Sequence, residues 1–315
     1  MPVVVRQLSG SDANGVASLW QSATDQRRRE TGLQPLPEQS LVLARPGVFA
    51  VGAVEGEELL AMALAVPARA DDGRSEHNVP GLAHISSVAT RPGEWGRGLG
   101  GRCVRAVMSQ ATRRGYARVQ LWTHSSNAGA RRLYEREGFE LSGRRKTDDH
   151  GEPIVHYLRE LPVIPWMARH ASRLVCLGPD DRVLLLHWSD PVDGYRLWEP
   201  PGGGVEAGES SYDAVVREWR EETGLPLPAM TDEPTLVGRD VIFNGTRSIV
   251  DEEFFLGRAT SAGTPQADEA TAMEQDAFIG HAWVPWRQLS ELDDPVEPDL
   301  LPVLRRLAPS RSWET

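Results

Sequence analysis

The apolar positions of the first half predict alternating strands and helices. Ser11 or Asp12 is typical of a helix start, and the helix is expected to run to about Leu19 or Trp20. Arg27–Arg29 is interpreted as a solvated helix face. Strands are expected at Val48–Val54, Leu59–Val66, Leu82–Ala89, Tyr116–Thr123 and Ile154–Leu161. Helices are expected up to Arg114 and again after Asn127, where the second helix ends in the run LYEREGF (133–139).

The second half predicts further strands around one long helix. The strands are expected at Ser172–Leu177, Arg182–His187, Leu236–Asn244, Ser248–Ala259 and His281–Val284, with a final helix over Asp299–Leu307. Asn244–Gly245 is a typical hairpin turn. Pro162 and Pro165 interrupt the pattern. We therefore predict a domain at 1–161, a linker at 162–168 and a domain at 169–315.

The predicted long helix, which starts at Glu209, has an unusual acidic face. Its apolar stripe repeats at i, i+3, i+4 and i+7 through Tyr212, Val215, Val216 and Trp219. Glu218, Glu221 and Glu222 lie beside this stripe, on an arc of about 100°. Like charges this close repel one another. The pattern indicates a site for a hard divalent cation rather than a solvated acidic helix, which is the alternative.

The spacing of this segment resembles the Nudix box. The residues at its fixed positions are Gly203, Glu209, Arg217, Glu218, Glu221, Glu222, Gly224 and Leu225, and Trp219 fills a position that is usually aliphatic. The resemblance covers about residues 168–308 and implies an α/β/α sandwich. It also implies that Mg²⁺ or Mn²⁺ is bound by Glu218, Glu221 and Glu222, and that Glu209 and Arg217 orient these ligands.

The residue that activates water in such a site is left open between acids outside the box. The candidates are Glu252, Glu253 and Glu274. The alternative for each is a solvent-facing acid with no role in the chemistry. His187 and His281 are interpreted as packing residues, because oxygen donors already complete the ligand set.

The first half contains a glycine-rich turn between a strand and a helix, at residues 95–101. Backbone N–H groups of such a turn, together with a helix N-terminus, favour a phosphate. A plain tight turn is the alternative. This segment and the later run N-A-G-A-R-R-L-Y-E-R-E-G-F (127–139) resemble the GNAT acyltransferases, over about residues 3–160.

The GNAT resemblance implies a mixed sheet with flanking helices and an acetyl-CoA site. Val88 and Ala89 would bind the pantetheine arm, and Gly96, Arg97, Gly98, Leu99, Gly100 and Gly101 the pyrophosphate. Asn127 would hold the cofactor, and Tyr134 would protonate the CoA thiolate. Trp95 stands where the family has Gln or Arg, and Arg97 is expected to supply the missing cation.

No glutamate lies on the fourth strand, where family members often carry the catalytic base. His84 is the titratable residue there and is the candidate base. A half-buried histidine without a chemical role is the alternative. Tyr134 has a similar alternative as a core aromatic residue.

Charge, hydropathy and cysteine content indicate which binding partners and which cellular compartment to expect. Residues 1–161 carry 21 basic and 18 acidic residues, whereas 162–315 carry 13 and 27. The acidic second half argues against general nucleic-acid binding. No apolar run approaches the ~20 residues of a membrane helix, and no signal peptide is expected at the N-terminus. Cys103 and Cys176 have no metal-ligand spacing, which favours a reducing compartment and a cytoplasmic location.

The sequence therefore predicts a bifunctional enzyme. One half would transfer an acetyl group from acetyl-CoA to an amine, and the other would hydrolyse a nucleoside diphosphate derivative. Two alternatives stay open: a GNAT-like half that only binds a ligand or partner, and a non-enzymatic nucleotide sensor. A homodimer is also left open.

Overall fold

The computed structural model describes residues 2–35, 37, 43, 47–266 and 277–313. The chain forms two compact units, one of Met1–Val163 with Val192–Tyr195, the other of Ile164–Pro191 with Arg196–Thr315. The predicted linker at 162–168 includes a short strand, Trp166–Met167. The exact domain boundary stays a prediction. No helix in the described ranges is long and apolar enough to cross a membrane.

The first unit is built on a seven-stranded sheet. Its strands are β1 (Val4–Gln7), β2 (Phe49–Glu55), β3 (Glu58–Arg69), β4 (Asn78–Thr90), β5 (Arg118–His124), β6 (Glu140–Thr147) and β7 (Pro153–Glu160). Their order is β1-β2-β3-β4-β5-β7-β6. All neighbours are antiparallel except β4 and β5, which run parallel.

In the described part of the first unit, the α-helices that cover the sheet are α1 (Ala13–Glu30), α2 (Leu99–Arg113) and α3 (Ala128–Arg136). Val104 and Val107 of α2 and Tyr134 of α3 pack in one apolar cluster with Leu121 of β5. Val16 and Leu19 of α1 pack in another cluster, with Met62 and Leu64 of β3. The sheet therefore has an apolar layer on each face, which confirms a mixed α/β unit.

The start of the chain differs from its prediction in two respects. The helix α1 continues to Glu30, ten residues past Trp20, because Ala23 still packs against the cluster that holds Leu19. Arg28 is buried and pairs with Glu152, so Arg27–Arg29 is not a fully solvated face.

The strand β6, which is almost wholly exposed, was not predicted, because it lacks an apolar alternation.

The second unit is built on a nine-stranded sheet. Its strands are β8 (Trp166–Met167), β9 (Ala171–Leu177), β10 (Arg182–Ser189), β11 (Arg196–Glu199), β12 (Gly202–Gly204), β13 (Ala229–Met230), β14 (Thr235–Phe243), β15 (Thr246–Arg258) and β16 (Phe278–Pro285). The longest path is β11-β10-β9-β15-β13. β14 and β15 form the predicted hairpin, with Asn244 and Gly245 both at positive φ. This unit is also a mixed α/β fold.

Among the residues that the structure describes, the α-helices beside this sheet are α4 (Ser211–Thr223) and α5 (Leu300–Leu307). α4 begins two residues after the predicted Glu209, because the Ser210 side chain caps it by accepting a hydrogen bond from the Asp213 N–H. It ends at Gly224, which is left-handed. Val215 and Trp219 are buried, whereas Tyr212 is exposed and only its ring edge contacts Phe255.

Candidate active sites

The acidic end of α4 lies against the glycine strand β12. Gly203 approaches Glu218 so closely that a Cβ at this position would lie 2.5 Å from Glu218 Oε1. A residue with a side chain would therefore displace the carboxylate. The first position of the box is a glycine because the acidic face of α4 lies directly against its backbone.

The Arg217 guanidinium links four groups of this site. It donates to both oxygens of Glu209, at 3.0 and 3.1 Å, and to Gly204 O at 2.9 Å. Its Nη1 also donates to Glu218 Oε1 at 2.9 Å and to Glu221 Oε2 at 3.0 Å. The hydrogen bond from Arg217 lowers the pKa of Glu209. Arg217 and Glu209 thus hold the loop before α4 against the acidic face of the helix.

Glu222 lies deeper than its neighbours and lacks an arginine partner of this kind. Its Oε2 accepts a hydrogen bond from the Gly202 N–H at 2.8 Å. Burial raises the pKa of Glu222 well above its usual value, and the nearby Glu218 and Glu199 raise it further. Burial also raises the pKa of Glu218. This part of the site therefore holds more negative than positive charge.

These residues fit a divalent cation by the chemistry of their donors. Carboxylate oxygens are the ligands that Mg²⁺ and Mn²⁺ prefer, and the pKa values of Glu218 and Glu222 are raised first by burial and then by the neighbouring acids. The side chains are not gathered for an ion in this state. Within the described ranges, three ligand atoms of His, Cys, Asp or Glu lie within 4.8 Å of one another at His124, Asp148 and Glu152, not at Glu218, Glu221 and Glu222.

The glycine turn of the first unit leads directly into α2. Gly96 and Gly98 adopt positive φ values of 86° and 75°, and a Cβ at either would meet nothing within 4 Å. Gly98 is the N-cap of α2, whose first residues are Leu99, Gly100 and Gly101. Open space therefore surrounds the turn at the N-terminal end of a 15-residue helix, where backbone N–H groups attract anions.

A gap opens between β4 and β5 on the way to this turn. The two strands pair from Leu82 and Arg118 to Ile85 and Leu121, and the pairing ends there although β4 continues to Thr90 and β5 to His124. Val88 and Ala89 pair with β3 on their other side. Their edge toward β5 is therefore available to an extended ligand, in a line with the glycine turn.

The other predicted residues of the first unit occupy distinct positions. Asn127 caps α3, because its Oδ1 accepts a hydrogen bond from the Ala130 N–H at 3.0 Å. Tyr134 is buried, which raises its pKa, so its hydroxyl stays protonated at neutral pH. Burial and the Lys146 charge lower the pKa of His84 to about 4. His84 is therefore neutral at pH 7, and such a weak base is a poor proton acceptor.

Comparison with known proteins matches each unit to a different family model. Residues 15–139 match the acetyltransferase (GNAT) family, and residues 167–307 match the NUDIX domain. The "Putative 8-oxo-dGTP diphosphatase 2" of Mycobacterium tuberculosis is 32% identical over 113 residues, which cover 35% of this chain and 70% of that protein. The chain is a GNAT acetyltransferase domain fused to a Nudix domain, and it belongs to the Nudix family through its second half.

Two further relatives match shorter stretches. The "Uncharacterized Nudix hydrolase YvcI" of Bacillus subtilis is 53% identical over 49 residues, which are 16% of this chain and 28% of that protein. The "Mycothiol acetyltransferase" of Brachybacterium faecium is 42% identical over 62 residues, 20% of this chain. The match spans 19% of that enzyme's length.

A buried network beside the Nudix box was not predicted from the sequence. Arg173 donates to Glu252 Oε2 at 3.0 Å and to the carbonyls of Pro200 and Gly202 at 3.0 and 3.3 Å, and it pairs with Glu199 at 3.0 Å. Arg239 also donates to Glu252, at 2.8 Å. The available signal was Arg173 itself, a charged residue inside the otherwise apolar strand β9.

This network bears on the acids considered for water activation in the Nudix unit. Although burial alone would raise it, the pKa of Glu252 is lowered by Arg173 and Arg239, and two guanidinium groups occupy one of its oxygens. Glu252 is thus poorly suited to accept a proton. Glu253 is half-buried on the same strand, and Glu274 lies outside the described residues.

Four further residues that the sequence analysis singled out are His187, His281, Trp95 and Arg97. His187 hydrogen-bonds to Asp294 at 2.9 Å and stacks on Trp198, as expected for a packing residue. His281 lies on β16 and is half-buried. In the GNAT unit, Trp95 is half-exposed and donates from Nε1 to Thr90 O at 3.0 Å. Arg97 pairs with Glu94, so its charge is already compensated.

Proposed function

We propose that the Nudix unit is a Mg²⁺- or Mn²⁺-dependent pyrophosphohydrolase for a nucleoside diphosphate linked to another group. The observation that carries this proposal is the Glu222 carboxylate, which is half-buried beside Glu218, accepts from the Gly202 N–H at 2.8 Å and has a pKa well above its usual value. Arg173 attracts this carboxylate but already pairs with Glu199 and Glu252, so the site is suited to an added cation.

Glu218, Glu221 and Glu222 would hold the metal, which supplies charge neutralisation for the phosphates and a more acidic water. In the present state Arg217 bonds to Glu218 and Glu221. Both carboxylates would turn from Arg217 toward the ion, while Glu209 keeps Arg217 in place through two hydrogen bonds. Glu253 and Glu274 stay candidates for accepting the proton of the attacking water.

A substrate screen with Mg²⁺ tests this function. It includes 8-oxo-dGTP, because a relative carries that substrate in its name, together with dinucleoside polyphosphates and nucleotide sugars. The full chain is expected to release phosphate or nucleoside monophosphate from at least one of these. Absence of turnover with every compound, with Mg²⁺ and with Mn²⁺, would contradict the proposal and favour a nucleotide sensor.

We also propose that the GNAT unit transfers an acetyl group from acetyl-CoA to an amine. The gap between β4 and β5, which leads to the open glycine turn at the start of α2, supports this role. Residues 96–101 would bind the pyrophosphate, and Val88 and Ala89 the pantetheine arm. Tyr134 stays protonated and would donate its proton to the departing thiolate.

Titration of acetyl-CoA into the full chain tests the first step of this transfer. The expected result is saturable binding that weakens when Gly98 is replaced, since its φ of 75° is unfavourable for other residues. If no binding is measured at high micromolar acetyl-CoA, the transferase proposal fails.

A second function for the GNAT unit is favoured by particular residues. Trp95 replaces the expected Gln or Arg, and the pKa of His84 is about 4. Both fit a unit that binds a ligand or partner without turnover. Acetyl-CoA binding without transfer to any amine would support this second function. The homodimer, the small-molecule substrates and the cytoplasmic location stay predictions.

A further inference from the structure

His124 and Asp148 form a hydrogen-bonded pair that the proposed transfer does not use. His124 Nε2 and Asp148 Oδ2 lie 3.1 Å apart. Asp148 is fixed on its other side, because its Oδ1 accepts from the backbone N–H groups of His150 and Glu152 at 2.9 and 2.8 Å. Although burial alone would raise the pKa of Asp148, these hydrogen bonds lower it, so Asp148 is a carboxylate at neutral pH.

The ionised Asp148 determines which nitrogen of His124 carries the proton. A carboxylate only accepts hydrogen bonds, so the proton of the neutral imidazole lies on Nε2 and the lone pair on Nδ1. Among the described residues, Nδ1 has no hydrogen-bond partner, and the side chain is partly exposed. Nδ1 is therefore the atom that can accept a proton.

The position of His124 on the sheet matches the path proposed for the cofactor. β4 and β5 stop pairing at Ile85 and Leu121, and Val88 and His124 are each three residues farther along their strands. Both therefore lie past the last paired residues, where β4 and β5 no longer pair. Side chains alternate along a strand, so His124 shares a face with Trp122 and Gln120, opposite to Leu121.

His124 and Tyr134 lie on opposite faces of the sheet, one on each side of the gap. Tyr134 packs with Leu121 in the cluster beneath α2 and α3. His124 lies on the face of α1, because Glu152, 3.8 Å from its Nε2, is held by Arg27 and Arg28 of that helix. In an acyl transfer the amine approaches the carbonyl on one side and the thiolate leaves on another.

We propose that His124, oriented by Asp148, is the general base of the acetyl transfer in place of His84. The inference rests on the proposed transferase function. The amine lone pair forms the C–N bond to the thioester carbon, and the C–S bond breaks with its electron pair on sulfur. The amine proton goes to His124 Nδ1, and the Tyr134 hydroxyl protonates the thiolate. His124 then returns its proton to water, from which Tyr134 is reprotonated.

The surrounding charges favour a base over a metal ligand at this cluster. Asp148 and Glu152 both face Nε2 of His124, at 3.1 and 3.8 Å. Arg27 and Arg28 already compensate Glu152, at 2.9 and 2.5 Å. The cluster with its two arginines therefore has no excess of negative charge that would require a cation.

The test measures CoA release by the full chain with acetyl-CoA and a panel of primary amines: a dipeptide, a diamine, an amino sugar and an amino acid. His124→Gln is expected to lower kcat/KM by about 100-fold or more. Its affinity for acetyl-CoA, measured by calorimetry, should not change. Imidazole in the buffer should restore part of the activity of His124→Ala, which a purely structural role would not allow.

The pH profile separates a base from a structural residue. The pH profile of kcat/KM should differ in shape between the wild type and His124→Gln, and Asp148→Asn should lower kcat/KM, because the imidazole loses the carboxylate that orients it. His77→Gln is the matched control, since His77 is exposed and its ring hydrogen-bonds only to Ser75 among the described residues. It should behave like the wild type.

The possible negative results distinguish failure of the transferase function from failure of the role of His124. A wild type that acetylates no amine would remove the transferase function and this inference with it. An active wild type with an equally active His124→Gln variant would remove the inference alone. The inference would also fail if the wild type, but not His124→Gln, binds one equivalent of Zn²⁺ and loses transfer activity on chelation.

Discussion

At the scale of single residues, Glu222 combines burial with proximity to Glu218 and Glu199, which makes its charge costly to enclose. Gln keeps the shape and can still accept the hydrogen bond from the Gly202 N–H. Glu222→Gln should therefore raise the free energy of unfolding of the metal-free protein at neutral pH by about 1–2 kcal/mol. A gain of this size is typical of substitutions that remove an unfavourable charge from a functional site. Chemical denaturation with and without Mg²⁺ measures this.

The same substitution should reduce Mg²⁺-dependent hydrolysis by about 100-fold or more, since the metal supplies several kcal/mol to the transition state. Glu233→Gln changes an exposed acid away from the site and should affect neither stability nor hydrolysis. If Glu222→Gln hydrolyses substrate like the wild type, Glu222 is not a metal ligand.

Gly203 allows a separate test of the geometry. A Cβ there would push against Glu218 Oε1, the flexible end of a side chain, so Gly203→Ala should change the free energy of unfolding by less than about 1 kcal/mol. Hydrolysis should nevertheless fall about tenfold, because the carboxylate is displaced. Gly280→Ala, whose Cβ would meet nothing within 4 Å, is the control. Equal activity of the two variants would contradict the role of Glu218.

The residue types of the Nudix site were predictable, whereas their partners were not. The spacing of Glu218, Glu221 and Glu222 along one helix places them on one face whatever the rest of the fold. The contact of Arg173 with Glu252 joins residues 79 positions apart. The low pKa of His84 likewise depends on burial and on Lys146, which only the folded unit brings near.

At the scale of elements, Arg173 joins β9, β11 and β15 to the segment from Pro200 to the start of β12. It bonds to Glu199, Glu252 and two loop carbonyls from a buried position. Arg173→Met should cost about 3–5 kcal/mol, because it leaves the buried carboxylates under-compensated. Urea unfolding measures this, with the exposed Arg182→Met as control. Equal stability of the two variants would show that the network does not support the fold.

The segment between β6 and β7 is tied to α1 by Glu152, which accepts hydrogen bonds from Arg27 and Arg28. The hydrogen bond from Arg27, together with the arginine charges, lowers the pKa of Glu152 below its usual 4.5. The stabilisation is therefore fully present above pH 4.5 and is lost as the pH falls through the lower value in the folded protein.

Glu152→Gln should accordingly destabilise the protein at pH 7 by about 1–3 kcal/mol, with the deficit shrinking as the pH falls below the usual carboxyl value. Thermal unfolding from pH 7 to pH 3 measures this. Glu140→Gln, an exposed acid on β6, is the control. A deficit that stays constant over the whole range would contradict the ion pair as its cause.

Elements were predicted where the apolar pattern was regular and missed where contacts elsewhere decide the structure. β9, β10, β14 and β15 follow from clustered apolar residues and the Asn244–Gly245 turn. α1 extends past its prediction because its C-terminal part uses Arg28 and Glu152 rather than apolar residues alone. β6 has no apolar face of its own, and its pairing with β7 defines it.

At the scale of the whole molecule, the two candidate sites lie in different units and share no residue. Glu222→Gln should abolish hydrolysis and leave acetyl transfer intact. Tyr134→Phe, which keeps the ring contacts with Phe139 and Tyr157, should lower transfer by about 100-fold and leave hydrolysis intact. Measuring both activities on both variants tests this. Loss of both activities in either variant would contradict separate sites.

The central claim is that the three carboxylates of α4 form a divalent metal site, and Mn²⁺ binding tests it most directly. Titration of the full chain, followed by the electron paramagnetic resonance of free Mn²⁺, should show saturable binding to the wild type. Glu222→Gln should weaken this binding by about 10- to 100-fold. Unchanged binding in Glu222→Gln, or no binding by the wild type, would contradict the account.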